Sequence, residues 1–82
     1  MISKMNKIVV KKWNFGFNKV QFTKLQYNLL GLDLKVAKKN TDDILENKIV
    51  SIEIKNDDLL HEFVTEAVNL GVEIDVVKDY SI

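Results

Sequence analysis

The sequence predicts an α+β fold with the element order β-α-α-β-α-β, in which three helices cover one face of a three-stranded antiparallel sheet. Residues 49–54 and 72–77 alternate apolar and polar side chains, as strands with one solvent-exposed face do. Three other segments carry apolar residues at helical spacing between caps and glycines. The chain of 82 residues is long enough for one domain, which we expect over residues 1–82 with its core between 8 and 77.

The composition excludes several classes of site. The chain has no cysteine, so disulfides, thiol catalysis and cysteine-based zinc sites are ruled out. A single histidine, His61, excludes sites with several histidine ligands. The longest apolar run is Ile8, Val9 and Val10, too short to span a bilayer, and no apolar stretch follows Met1 as a secretory signal would require. We expect a cytoplasmic protein without metal, cofactor or membrane partner.

The first strand is predicted over residues 7–13, which are rich in β-branched and aromatic side chains. We expect a frayed start at residues 1–6. The orientation of the strand is ambiguous, because Ile8 and Val10 indicate one buried face whereas Trp13 indicates the other. Alternation alone does not decide which face meets the core.

Local signals mark both ends of the first helix. Asn18 fits the N-cap position, with Gln21 completing a capping box. Phe17 and Phe22 are spaced for a hydrophobic staple. Gly31 fits the left-handed residue that ends a helix, so we expect the helix over residues 19–30.

A second helix follows almost at once, because Asp33 fits another N-cap and residues 34–46 continue the helical spacing. Such a short link predicts a helical hairpin. Asn56 and Gly71 bound a third helix in the same way. The side chains expected to face the core are Leu34, Ala37, Thr41 and Ile44 on the second helix, Leu59, Leu60, Phe63, Val64, Ala67 and Val68 on the third, and Val50, Ile52, Ile54, Val72, Ile74 and Val76 on the strands.

The charges are sorted along the chain although they cancel overall. Residues 1–41 hold nine lysines and one acid, whereas residues 42–82 hold three lysines and eleven acids. Two interpretations stay open: the halves interleave and neutralise each other, or the domain has a basic and an acidic face that steer a charged partner. The chain has no arginine, the residue most used to read guanine and to clamp phosphate, which weakens a nucleic-acid interpretation.

The first helix carries two stripes where packing needs one. The core stripe comprises Phe22, Leu25 and Leu29, with Gln26 at its edge. The residues of the second stripe recur at three- and four-residue spacing and are Val20, Thr23, Lys24 and Tyr27. Together with lysines on both helices they form a candidate partner-binding patch, whose residues are Lys19, Val20, Thr23, Lys24, Tyr27, Lys35 and Lys38. The alternative is that Val20 and Tyr27 only pack against the second helix.

The other candidate sites are weaker. Residues 11–17 mix lysines with aromatics as single-strand binders do, but core aromatics at a strand end explain them better. The acidic pairs at 42–43 and 57–58 lack the spacing and the glycine of a calcium loop. His61 has no nucleophile arranged around it. We find no catalytic constellation and expect a binding protein that is not an enzyme.

Three short motifs, at residues 18–20, 31–38 and 71–76, occur in the order found in the C-terminal domain of the bacterial ribosomal stalk protein, and the chain resembles that family over residues 8–77. The family's pattern combines an Asn-Lys-Val helix start, a Gly-Leu-x-Leu-Lys-x-Ala-Lys second-helix start and a Gly-Ala-x-Val-x-Val ending. The resemblance implies the same element order. It also implies a bacterial protein that acts in translation.

In that family, translation factors bind to the first two helices. The resemblance implies that Lys19, Val20, Lys24 and Lys38 match the factor-binding positions. The chain departs from the pattern at Thr23, where the family has isoleucine, and at three further positions: Tyr27 replaces an arginine, and Asn28 and Asp33 replace glycines. The family's N-terminal dimerisation domain and hinge have no counterpart here, so we expect a standalone docking domain.

The expected function is therefore a small protein-binding module whose partner is a translation factor or another acidic protein. One alternative is non-specific nucleic-acid binding through the basic half, which would weaken steeply with salt. A second alternative is a role like that of adaptors of the Clp protease, which share a related architecture; this rests on analogy of fold alone.

Overall fold

The computed structural model describes the backbone of residues 3–81 and the side chains of residues 6–77. It confirms the α+β fold and the predicted order of elements. The elements are β1 (Ser3–Trp13), α1 (Lys19–Leu30), α2 (Leu34–Leu45), β2 (Val50–Glu53), α3 (Asp57–Leu70) and β3 (Val72–Ser81). Within the described residues, none of the three helices combines the length and apolar character needed to cross a bilayer.

The sheet has the strand order β2-β1-β3, and both pairs are antiparallel. The alternation of β2 places Val50 and Ile52 in the core, while Ser51 and Glu53 are exposed. Because only one face of the sheet is apolar, all three helices pack on that face. Helix α1 lies between α2 and α3 and contacts both, whereas the backbones of α2 and α3 lie apart.

Strands β1 and β3 are longer than the sequence predicts. Strand β1 begins at Ser3, so the expected frayed start at residues 1–6 is wrong for residues 3–6, while residues 1 and 2 lie outside the described part. Strand β3 continues past residue 77, and Ser3 pairs with Ser81. The two strands extend each other by pairing, a non-local effect that the composition of either segment alone does not reveal.

A β-bulge resolves the ambiguous facing of β1. Val10 pairs with Ile74, but the next residue of β3, Glu73, pairs with Lys12, which leaves Lys11 as the extra residue. The bulge shifts the alternation by one residue, so that Trp13 returns to the helix-covered side occupied by Val10. Lys11 and Lys12 form ion pairs on the face of the sheet that the helices do not cover. The ammonium nitrogen lies 3.1 Å from the Asp75 carboxylate for Lys11 and 3.4 Å from the Glu73 carboxylate for Lys12.

The predicted caps of the helical hairpin are confirmed. The side chain of Asn18 accepts a hydrogen bond from the backbone N–H of Gln21 at 3.1 Å. The rings of Phe17 and Phe22 meet edge to face with centroids 5.5 Å apart, as a staple requires. Gly31 ends α1 in the left-handed conformation. The side chain of Asp33 caps α2 by accepting from the N–H of Lys35.

The turn at Gly71 joins α3 to β3 and packs against the turn between β1 and α1. Gly71 has φ +108°, and a Cβ there would lie 2.9 Å from the Cα of Phe17. The N–H of Asn14 donates to the Gly71 carbonyl, and the N–H of Asn18 donates to the Leu70 carbonyl. This position therefore requires glycine both for its backbone angle and for the close approach of a second backbone segment.

The core lies between the sheet and the helices, and Phe22 of α1 meets Phe63 of α3 there with ring centroids 5.9 Å apart. Three expected core residues are exposed instead, namely Leu34 at 57%, Val68 at 50% and Val76 at 44%. Leu34 is the first residue of α2, and helical side chains point back toward the N-terminus of their helix, which here lies beyond the core. Val68 and Val76 lie at the flank where α3 meets β3, one of the two outer strands of the sheet, and no other described helix or strand covers that flank.

Candidate functional site

A groove of about 340 Å³ runs between α1 and α2. The residues that line it are Lys19, Val20, Thr23, Lys24 and Tyr27 of α1, and Leu34, Lys38, Thr41 and Asp42 of α2. Six of the seven residues of the predicted patch belong to this lining, and the seventh, Lys35, is exposed on α2 outside it.

Hydroxyl groups form the floor of the groove. The Thr23 and Thr41 hydroxyls lie 2.8 Å apart and are hydrogen bonded. The Thr23 hydroxyl also lies 2.9 Å from the Lys19 carbonyl, and the Thr41 hydroxyl lies 3.1 Å from the Ala37 carbonyl. Because each hydroxyl has one proton, one threonine donates to its carbonyl and the other donates to the first threonine. The two threonines therefore join the two walls of the groove, and their polar atoms are already satisfied within the protein.

Gln26 lies beneath this floor and is fully buried, although the sequence placed it at the edge of the core stripe. Its amide nitrogen donates to the Ala37 carbonyl at 3.0 Å and to the Thr41 hydroxyl at 3.1 Å. Its amide oxygen accepts from Asn40 at 2.9 Å. A buried amide is stable only when its donors and acceptor are satisfied, and here α2 supplies the partners that helical periodicity in α1 does not reveal.

The apolar part of the groove is open to solvent. Val20 is 55% exposed and Leu34 is 57% exposed, while Tyr27 is half-buried. Leu34 is the main correction to the expected site, since it was assigned to the core. Leu34, Lys38 and Asp42 follow one another at intervals of four residues. This spacing is the signal that would have placed all three on one face of α2.

The lysines of the groove have no carboxylate partner among the described side chains. The ion pairs among residues 6–77 involve Lys11, Lys12, Lys39 and Lys48. Lys19, Lys24, Lys35 and Lys38 are exposed and form none of them. The part of the groove formed by α1 therefore carries positive charge beside exposed apolar side chains.

Asp42 brings a carboxylate to the α2 wall of the groove. It is not among the seven residues of the predicted patch. It follows Lys38 by one helical turn, yet the two do not form an ion pair in the described structure. A partner that carries carboxylates is therefore favoured at the Lys19–Lys24 side of the groove and less so at the Asp42 end.

The next residue, Asp43, is engaged away from the groove. Lys39 donates to its carboxylate at 2.8 Å, and Lys48 lies 3.9 Å from it. The hydrogen bond from Lys39 and the charges of both lysines hold the pKa of Asp43 below its usual 3.8. The same contact raises the pKa of Lys39 above its usual 10.5. These two lysines are thus neutralised within α2 and its C-terminal turn.

The aromatic segment at residues 11–17 differs from the expectation of core aromatics. Phe17 packs against the core, but Phe15 is fully exposed at the tip of the turn and Trp13 is 37% exposed. Trp13 contacts the ring of Phe17 at a centroid distance of 6.4 Å. Phe15 lies in the turn between β1 and α1 and precedes Gly16, which has a positive φ of 90° as turn glycines commonly do.

The acidic pair at residues 57–58 lies in the first turn of α3, where carboxylates are favoured by the helix dipole. Asp57 accepts a hydrogen bond from the buried side chain of Asn6 at 2.6 Å, which ties α3 to β1.

His61 lines a smaller cavity of about 210 Å³ between α3 and Val76. In the described part of the chain, no three acidic or histidine side chains are grouped as metal ligands.

The candidate site is thus an open groove with an apolar centre, three lysines around it and a satisfied hydroxyl floor. Its geometry suits the binding of a side chain or a short helical segment. Comparisons of the chain with protein-family models, with curated proteins and with solved structures find no match.

Proposed function

We propose that this chain is a small protein-binding module that docks an acidic, amphipathic segment of a partner protein in the groove between α1 and α2. The observation that carries the proposal is the exposure of Val20 and Leu34 beside lysines that have no carboxylate partner among the described side chains. An acidic amphipathic helix would bury its apolar side chains on these residues and place its carboxylates near the lysines.

The chemistry of the lining supports binding in preference to catalysis. The groove contains no histidine, and the hydroxyls of Thr23 and Thr41 are engaged with each other and with backbone carbonyls. A nucleophile needs an adjacent base, and the groove brings none to these hydroxyls. Its lysines are exposed point charges suited to steering a charged partner.

The resemblance to the stalk-protein domain leads us to propose a translation factor as the partner. Lys19, Val20, Lys24 and Lys38, the positions that the resemblance matches to factor binding, all line the groove. At the departures from the family pattern, Thr23 joins the floor and Tyr27 lines one wall. The contact surface would therefore be less basic than the family's, because Tyr27 replaces an arginine.

The test is binding of purified bacterial translation factors to the full chain and to the double variant Lys24→Glu, Tyr27→Ala, followed by titration calorimetry. We expect the double variant to retain the far-ultraviolet circular dichroism of the wild type and to lose binding. Lys55→Glu serves as the matched control, because Lys55 is exposed and lies outside the groove. Equal affinity of the wild type and the double variant would refute the groove as the docking site.

A second candidate function, single-strand nucleic-acid binding, is favoured by the exposed ring of Phe15 beside Trp13. Bases stack on exposed aromatics in such proteins. The nearby lysines Lys11 and Lys12 each lie against a carboxylate, which reduces the charge available for phosphate. If this function holds, Phe15→Ala weakens the binding of oligonucleotides at low salt. Absence of any fluorescence change of Trp13 on addition of oligonucleotides at low salt would exclude it.

A further inference from the structure

Helix α3 is the acidic element of the protein. It carries four carboxylates, Asp57, Asp58, Glu62 and Glu66, and no lysine. Asp58, Glu62 and Glu66 are exposed and form no ion pair among the described side chains. These three carboxylates of α3 are therefore not neutralised by the lysines of α1 and α2 within the same molecule.

The exposed side of α3 also has an apolar component. Val68 is 50% exposed, and Val76 of the neighbouring strand is 44% exposed. Asp58 and Glu66 are eight residues apart, which corresponds to about 12 Å along the helix. At 3.6 residues per turn, Asp58, Glu62 and Glu66 share one side of α3, whereas Val68 lies about 120° around the helix from Glu62. Helix α3 therefore matches the groove through carboxylates spaced along one side of a helix.

The groove has matching dimensions and opposite charge. Lys19 and Tyr27 mark its extent along α1 and are also eight residues apart, or about 12 Å. Lys24 and Lys38 stand on its two walls. One molecule cannot bring its own α3 into its own groove, because α1 lies between α2 and α3 and is packed against both.

We propose that the protein associates head to tail with a second copy of itself, with α3 of one copy lying in the groove between α1 and α2 of the next. This inference rests on the docking role proposed for the groove and names one acidic helix that occupies it. A second copy is favoured as the occupant because both complementary surfaces belong to the same chain, whose net charge is zero. Each contact leaves one groove and one α3 free, so the assembly grows with concentration unless its rotation closes a ring.

The association depends on ionic strength, because its charged groups are exposed. Screening shortens the reach of such charges from about 30 Å at 0.01 M salt to about 3 Å at 1 M. The first experiment is sedimentation velocity of the full chain in about 0.01 M and about 1 M salt, at protein concentrations up to about 1 mM. We expect the weight-average mass to rise with concentration in low salt and to stay at 9.5 kDa in high salt.

Charge-reversal variants locate the contact. The groove variant Lys24→Glu, Lys38→Glu and the helix variant Glu62→Lys, Glu66→Lys should each be monomeric alone in low salt. An equimolar mixture of the two should associate again, because α3 of the groove variant is intact and meets the intact groove of the helix variant. The control Lys7→Glu, Lys55→Glu has the same net charge as the groove variant but alters exposed lysines outside the groove, and we expect it to associate.

A wild-type chain that stays monomeric in low salt at the highest concentration would overturn the inference. So would a helix variant that associates as strongly as the wild type, or a mixture of the two variants that stays monomeric while both remain folded. The helix variant also separates this inference from the proposed function, because its groove is unchanged. If it still binds a translation factor while the wild type does not self-associate, only the self-association is wrong.

Discussion

Gln26 shows how a single polar side chain sets the geometry of the groove. It is fully buried and bonds to Ala37, Thr41 and Asn40 of the facing helix. An apolar residue at this position would leave the rotation of α2 about its own axis less constrained, since apolar contacts lack direction. The amide therefore specifies which residues of α2 reach the groove.

We predict that Gln26→Ala lowers the free energy of unfolding by about 2–4 kcal/mol, since it removes buried hydrogen bonds and leaves a cavity. Urea denaturation measures this loss. Gln21→Ala is the control, because the Gln21 side chain is exposed, and we expect it to change stability by less than about 0.5 kcal/mol. Equal effects of the two variants would contradict the role assigned to Gln26.

At the scale of single residues, the sequence predicts which side chains share a face of a helix, but not which residues of other elements they contact. The stripe of Val20, Thr23 and Tyr27 follows from helical geometry and is recovered in the groove. The burial of Gln26 and the exposure of Leu34 depend on how α2 lies against α1. That arrangement results from contacts between residues 11 to 18 positions apart, which periodicity within one helix does not encode.

At the scale of elements, the two helix-ending glycines have different roles. Gly31 has φ +71° and open space where a Cβ would lie, whereas at Gly71 a Cβ would lie 2.9 Å from the backbone of Phe17. Both positions end a helix in the left-handed region. Only Gly71 also lets two turns of the protein pack backbone against backbone.

These glycines give a matched pair of variants. Gly31→Ala should cost about 1–2 kcal/mol of unfolding free energy, which is the strain of a left-handed alanine. Gly71→Ala should cost more, about 3–5 kcal/mol, because the Phe17 backbone must also move. Thermal or urea unfolding distinguishes the two, and a smaller cost at Gly71 than at Gly31 would show that the two turns separate easily.

The Lys39–Asp43 pair of α2 leads to a pH-dependent prediction. Because the folded-state pKa of Asp43 lies below 3.8, the carboxylate contributes stability above that pH, and the contribution is lost as pH falls through the folded-state pKa. The stability difference between the wild type and Asp43→Asn should therefore be present near neutral pH and shrink in acid. Denaturation across this pH range measures it, with Asp42→Asn as the control for a neighbouring carboxylate that forms no described ion pair.

The elements themselves follow well from the sequence, because their signals are local. The caps at Asn18, Asp33 and Asn56 and the stops at Gly31 and Gly71 each act within one or two turns, and all are found at the expected places. The strands are harder, since their length depends on a partner. The full extent of β1 and β3 arises from their mutual pairing, and neither segment has a composition that indicates it.

At the scale of the whole molecule, β1 is the central strand and pairs on both sides. Ile8 and Val10 are fully buried within it. We predict that their backbone amides are among the slowest to exchange with deuterated water, while the amides of Phe15 and Gly16, in the exposed turn, exchange fastest. Nuclear magnetic resonance measures both, and rapid exchange at Ile8 would contradict a stable central strand.

The sorting of charge along the chain is also a property of the whole molecule. The sequence alone leaves open whether the halves neutralise each other. Some ion pairs join the basic half to the acidic half, such as Lys11 with Asp75 on the outer face of the sheet. The lysines of α1 and the carboxylates Asp58, Glu62 and Glu66 stay apart among the described side chains, because α1 faces α3 through its apolar side.

Because Lys11 is an extra residue in β1, it decides to which face of the sheet the side chains after it point. Deleting this one residue would straighten the ladder and rotate the indole of Trp13 to the opposite surface, away from Phe17. An insertion or deletion elsewhere in the strand would in the same way turn Ile8 and Val10 to the opposite face of the sheet. Position 11 is therefore where the alternation of side chains between the exposed and the helix-covered face shifts by one residue. Engineering of the strand has to preserve this extra residue.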